Sequence, residues 1–178
     1  MTGDVSIREA RADDRARIRA LTLAAYGEYA TRMAPEAWAA LEHALYDALS
    51  VDRGVTRLVA ESEGAVVGSA ALYEPGAEAY GDLASRANWP EVRLVAVDPA
   101  VRGRGIARAL VSECARRARK SGAAWLGLHT SRSMSAAMRL YESMGFVRDP
   151  AHDFQPPGAE LVEGYRLDLG DHAPITES

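Results

Sequence analysis

Six consecutive residues near the middle of this 178-residue chain, Arg102-Gly103-Arg104-Gly105-Ile106-Ala107, have the make-up of an anion-binding turn. Before them, Val92–Val97 is an apolar run that reads as a strand buried on both faces. Asp98-Pro99 stops it, because Pro99 has no amide hydrogen to give to a ladder. After them, Ile106, Ala109, Leu110, Ala115 and Ala118 recur at helical spacing, with Cys114 between. A strand, a glycine turn and a helix start place amides without intrahelical partners at the positive end of the macrodipole. Gly103 and Gly105 allow close approach of backbone to ligand. Arg102, Arg104 and Arg108 add positive charge beside them, which suits a phosphate-rich ligand.

Two common phosphate loops do not fit. No G-x-x-x-x-G-K-[ST] string is present. A G-x-G-x-x-G fingerprint starting at Gly103 would place Arg108 at its third glycine, and the acidic residue about twenty positions later is missing. The string R-x-x-G-x-A resembles the acyl-CoA pyrophosphate loop of the GCN5-related N-acetyltransferases, [QR]-x-x-G-x-[GA] after a strand. A second block, Met134–Phe146, resembles that family's N-x-x-A-x-x-L-Y-x-x-x-G-F through Ala137, Leu140, Tyr141, Gly145 and Phe146. Met134 departs from it, standing where the family usually has Asn. The resemblance is sharp from Glu91 to Phe146 and general elsewhere.

The resemblance implies an α/β fold: a central mixed, twisted sheet of about six or seven strands flanked by about four helices. It implies acetyl-CoA as acyl donor and an amine acceptor, either a small molecule or a peptide or protein amine. Transfer would be direct, in a ternary complex. The loop from Arg102 through Gly103, Arg104, Gly105, Ile106 and Ala107 to Arg108 would hold the pyrophosphate. The strand segment Leu94, Val95, Ala96 and Val97 would line the pantetheine arm. A bulge near Val95 to Val97 would offer a backbone amide to the thioester oxygen. Glu91 resembles the glutamate that acts as base in histone-acetylating members; the alternative is a solvated charge at a strand start. Tyr141 matches the tyrosine that protonates the departing thiolate; the alternative is a ring packed on its helix. His129, ending a strand at the same cleft, is an alternative base. A non-catalytic acyl-CoA-binding or regulatory module with the same fold is the rival reading, kept open by Met134.

The need for a base depends on the acceptor. An amine of pKa about 10.4 is neutral in only about one molecule in 2,500 at pH 7, a cost of roughly 4.6 kcal/mol. An α-amine near 7.7–8.0 costs only about 1–1.4 kcal/mol. A thiol of pKa near 8.5 can take its proton from a phenol near 10.

Composition narrows the partners. A formal charge of −4 argues against general nucleic-acid binding, although seven of the 21 basic residues fall between Arg102 and Lys120. A basic-helix nucleic-acid binder is thus the third and weakest reading. The single Cys114 cannot form an internal disulfide and reads as a small buried helix residue. His43, His129, His152 and His172 lack metal-ligand spacing, so no metal is expected. There is no secretory signal and no apolar run of membrane-span length, which makes a cytoplasmic location and no membrane contact the expectation. A homodimer is left open.

The remaining elements must position these groups. Val5–Ala10 reads as a strand, followed by a helix from about Asp13-Asp14 to Tyr29 and another opened by Pro35 and ended by Gly54. Within them Tyr26, Tyr29 and Trp38 are core residues or, by the resemblance, acceptor contacts. Thr56–Glu61 and Ala65–Tyr73 read as a hairpin around Ser62-Glu63-Gly64. Glu74–Pro90 is a long loop expected beside the acceptor cleft. Ala123–His129 is the next strand, Ser131 to Ser133 supply caps for a helix through Ser143, and Leu161–Leu169 is the last strand. Residues 1–170 form one expected domain and 171–178 a polar tail.

Overall fold

A computed structural model describes residues 4–77 and 87–170. Seven strands form one sheet: β1 (Val5–Glu9), β2 (Val55–Ser62), β3 (Ala65–Tyr73), β4 (Glu91–Val97), β5 (Trp125–Thr130), β6 (Val147–Arg148) and β7 (Glu163–Asp168), in the order β1-β2-β3-β4-β5-β7-β6. All neighbours are antiparallel except β4 and β5. The four α-helices are α1 (Arg15–Gly27), α2 (Pro35–Ser50), α3 (Ile106–Lys120) and α4 (Ser135–Ser143). Helix α3 is the crossover that the parallel pair requires. The expected mixed sheet with four helices is what forms.

The helices cover the two faces of the sheet. On one face Leu110, Cys114 and Tyr141 of α3 and α4 pack with Val92, Leu126 and Leu128. On the other, Leu45 and Ala48 of α2 meet Ala71, Tyr73 and Leu94, while Leu21 and Ala25 of α1 meet Ala96. The hairpin turn is two residues long, Glu63 (φ 52°) and Gly64 (φ 78°), both left-handed as a type I′ turn requires. The C-terminus of α2 is held by Arg57 of β2, whose guanidinium donates to the carbonyl oxygens of Ala48, Leu49 and Val51.

Strand β4 is covered on both faces, as expected of it, though unevenly. Val92, Leu94 and Ala96 are buried, whereas Glu91, Arg93, Val95 and Val97 are half-buried. The bulge lies one residue earlier than expected: Ala71 pairs with Arg93 and Ser69 with Ala96, so Leu94 and Val95 share one partner position. Leu94 has φ 54°, a left-handed conformation uncommon outside glycine. The extra residue reverses the facing of the strand. Val92 packs under α3, Leu94 and Ala96 pack under α2 and α1, and Val95 and Val97 return to the α3 side.

Smaller differences concern ends of elements. The first strand ends at Glu9, a short 3-10 turn (Ala12–Asp14) precedes α1, and α2 ends before Gly54. Helix α4 starts at Ser135 after a 3-10 turn, with Met134 at its N-cap and no side-chain cap. Of the long loop before β4, residues 78–86 lie outside the described residues, as does the tail 171–178.

Candidate active site

The parallel pairing of β4 with β5 comprises Glu91 with Gly127 and Val92 with Leu128. Beyond those pairs each strand continues, β4 along β3 to Val97 and β5 along β7 to Thr130. The two strands therefore diverge, opening a cleft lined by backbone of Leu94–Val97 on one side and His129–Thr130 on the other. The side chains of Leu94 and Ala96 are buried against the helices, which leaves backbone groups and half-buried Val95 and Val97 to meet anything in the cleft.

The Arg-Gly turn closes the end of β4. Asp98 N–H donates to Val67 O, and its carboxylate accepts from Ala100 N–H at 3.0 Å and from Arg17 Nη2 at 2.8 Å. Those bonds, the backbone one first, hold the Asp98 carboxyl below its ordinary range. Gly103 (φ 79°) and Gly105 (φ 76°) are both left-handed, which is the reason for glycine at each. A Cβ at either would meet nothing within 4 Å, so the space in front of the turn is open. Gly105 is the N-cap of α3 and Ala109 N–H makes the helical bond to its carbonyl. The N–H groups of Ile106, Ala107 and Arg108 consequently face outward from the first turn.

Of the basic side chains here, Arg102 pairs with Glu28 at the end of α1, and Arg108 Nη2 donates to Ser143 Oγ of α4 at 2.7 Å. Arg104 is exposed. Farther along α3, Arg116 and Arg117 bind Glu113 at 2.7 and 2.9 Å, and Arg119 Nε donates to Leu169 O. Arg117 also reaches Glu9.

Glu91 and His129 come together on the α1/α2 face. Glu91 is not a solvated charge: its side chain is 12% exposed, and Oε1 lies 3.7 Å from His129 Nδ1. His129 Nε2–H donates to the His152 carbonyl oxygen at 2.9 Å, and its ring meets Phe154 edge-on. Burial pushes the His129 pKa down, against the opposing pull of Glu91. Trp89 and Glu91 lie over Gly127, where a Cβ would be 2.6 Å from Trp89 Nε1. Arg93 sits over the Tyr73 ring, 4.9 Å from its centroid.

Tyr141 lies on the opposite, α3/α4 face of the sheet. It is 8% exposed, within the α3/α4 core, edge-on to Phe146 at 5.9 Å. Left-handed Gly145 (φ 94°) ends α4 and lets Phe146 N–H bond the Tyr141 carbonyl. Cys114 is fully buried, and burial pushes its thiol up to about 12, as a core residue and not a nucleophile. Tyr26 and Tyr29 form an edge-to-face pair and Tyr26 packs on both α1/α2 clusters. Trp38 is half-buried on α2. Among the described residues there is no group of three or more metal-ligating side chains, and no helix is long and apolar enough to cross a membrane.

The model of the acetyltransferase (GNAT) family matches residues 18–146. The chain belongs to that family. Human N-acetyltransferase 8B is 34% identical over 120 residues, 67% of this chain and 50% of that protein. A mycothiol acetyltransferase of Nocardiopsis dassonvillei is 45% identical over 57 residues, 32% of this chain and 17% of that protein. The GNAT chain thus spans half or less of these curated relatives. Its fold is that of the ribosomal-protein-S18-alanine N-acetyltransferase from Escherichia coli, with TM-score 0.67, 18% identity and coverage of 98% and 100% of the two chains. It is also that of yncA from Salmonella typhimurium, a structure with acetyl-CoA, with TM-score 0.63, 23% identity and coverage of 95% and 96%.

Several neighbours of this candidate site were not foreseen: His152 and Phe154 touch His129, Gly164 pairs with it, Trp89 lies over Gly127 and against His152, and Asp149 binds His152. One signal was available. Gly127 stands alone between Leu126 and Leu128 in a strand, and such a glycine marks close approach of another group.

Proposed function

We propose that this GNAT protein transfers the acetyl group of acetyl-CoA to a primary amine by direct attack. The observation that carries the reading is the divergence of β4 from β5. Glu91 and Tyr141 stand on opposite faces of the sheet, and a ligand lying in that opening would have one on each side. The left-handed glycine turn at the end of β4 gives the same opening an anion seat. The turn and the outward amides of Ile106, Ala107 and Arg108 fit a diphosphate.

Acetyl-CoA supplies the activated acyl group; the chain supplies position and protons. Backbone at the Leu94–Val95 bulge offers an amide to the thioester oxygen, whose negative charge grows during attack. The Glu91–His129 pair takes the proton released as the amine nitrogen bonds to the acetyl carbon. Tyr141 gives a proton to the sulfur that leaves with the C–S electron pair, and regains one from solvent. No acyl-enzyme is required, and buried Cys114 could not form one.

A thiol-release screen of amines with acetyl-CoA tests the reading, comparing the wild type with Glu91→Gln and Tyr141→Phe. Acetyl-CoA binding with loss of turnover in both variants is the expected result. Binding without thiol release from any amine in the wild type would leave the non-catalytic module instead.

A further inference from the structure

The turn that follows β6 has a role in the site that its distance along the chain conceals. Asp149 N–H donates to Gly164 O at 2.9 Å, and Gly164 N–H donates to Asp153 Oδ1 at 2.8 Å. Arg148 binds both Asp153 oxygens at 2.7 and 2.8 Å, and Gly164 O as well. His152 Nδ1–H donates to Asp149 Oδ2 at 2.8 Å, its N–H bonds Asp149 O, and its ring stands 4.8 Å from that of Trp89. The turn presses on β7 so closely that a Cβ at Gly164 would lie 2.9 Å from Asp149 O and 3.1 Å from His152 Cβ. The His152 carbonyl oxygen that emerges from this turn is a fixed acceptor, and it points at His129 Nε2.

A neutral imidazole carries one N–H. With the hydrogen on Nε2, His129 satisfies the carbonyl and presents the Nδ1 lone pair toward Glu91. With it on Nδ1, two lone pairs would face each other across 2.9 Å in a buried site, and the Glu91 carboxylate would be capped by a donor. We propose that the Asp149–Asp153 turn is a positioning device that holds His129 as its Nε2–H tautomer, so that Nδ1, beside Glu91, takes the proton from the attacking amine. The inference rests on the acetyl-transfer reading for its chemistry. The amine nitrogen bonds to the acetyl carbon, the C–S pair leaves on sulfur, and the nitrogen's surplus proton passes to Nδ1 as an imidazolium facing the Glu91 carboxylate. Among the described residues, the other charged or titratable groups around His129 include Arg93 on β4 and His152 and Asp153 on the turn. Asp149 and His152 act through His129 and are positioning residues.

Nitrogen-15 NMR of the full chain reads the tautomer directly, with His129→Gln assigning the signal. The expected result is Nε2–H in the wild type, a mixture with Nδ1–H in Asp149→Ala, and restoration in Asp149→Asn, whose amide oxygen still accepts from His152. Thiol release should fall about tenfold or more in Asp149→Ala with the KM for acetyl-CoA unchanged, and recover in Asp149→Asn. Gly164→Ala, which drives the turn off β7, should repeat the Asp149→Ala spectrum if it folds. A wild type with Nδ1–H, or an Asp149→Ala protein with unaltered tautomer and pH–rate profile, would overturn the device. Nε2–H shifting as described in a protein that releases no thiol would uphold the device and sink the acetyl-transfer reading alone.

Discussion

Glu91 and Gly127 are direct partners in the parallel pairing of β4 with β5, and Glu91 Cγ lies 3.3 Å from where a Gly127 Cβ would sit. Gly127 is extended, so its value is space and not conformational freedom. Gly127→Ala must displace Trp89, Glu91 or both. A stability loss of about 1–3 kcal/mol is expected from overpacking. The larger effect is on turnover, roughly 10²-fold for a shift near 1 Å in the base. Urea unfolding and steady-state rates on the same preparation separate the two. Turnover falling no further than stability explains would remove Glu91 from the reaction.

Gly105→Ala tests the anion seat. An alanine held at φ 76° costs about 1–2 kcal/mol, and relief of that strain tilts the amides that follow. The KM for acetyl-CoA should rise about tenfold, or roughly 1.4 kcal/mol of binding, with kcat little changed. An unaltered KM in the folded variant would show that these amides do not grip the diphosphate.

Acid should weaken the fold through two carboxylates remote from the cleft. Asp14, bound by the Arg8 guanidinium at 2.7 Å and by Arg11 N–H at 2.7 Å, is held at about 2 instead of 3.8. Glu113, bound chiefly by Arg116 and also by Arg117, is held at about 2 instead of 4.5. Both folded values lie below the unfolded ones. Their stabilisation is therefore complete above pH 4.5 and disappears as pH falls toward 2. Urea midpoints measured between those limits should fall, and Asp14→Asn with Glu113→Gln should flatten the slope.

Tyr141→Phe keeps the buried ring and deletes the hydroxyl. The expected loss in kcat is about 10²-fold, the low end for general-acid catalysis, because a thiol of pKa near 8.5 is a good leaving group. The KM for acetyl-CoA should be unchanged. Equal kcat in the variant would assign the proton to water.

Cys114 should be silent toward a thiol reagent at pH 8 until the protein is unfolded, since its thiol is buried and titrates only at about 12. Release of free CoA can then be followed in the same cuvette. A rapid stoichiometric reaction of the folded protein would contradict the α3 packing.

The succession from β4 through the glycine turn to α3, and from α4 through Gly145 to Phe146, is legible in the sequence. These features are local. Left-handed glycines, a proline that cannot join a ladder and a period of 3.6 residues are properties of a few neighbouring residues. Which way each residue of β4 faces was not legible, because it depends on where one extra residue is taken up against β3, and Leu94 gives no sign of its φ. The meeting of Glu91 with His129, and of His129 with the Asp149–Asp153 turn, depends on strand register between segments far apart in the chain. No local propensity encodes such distances; they follow from how the sheet, the bulge and the packed turn fill the same space.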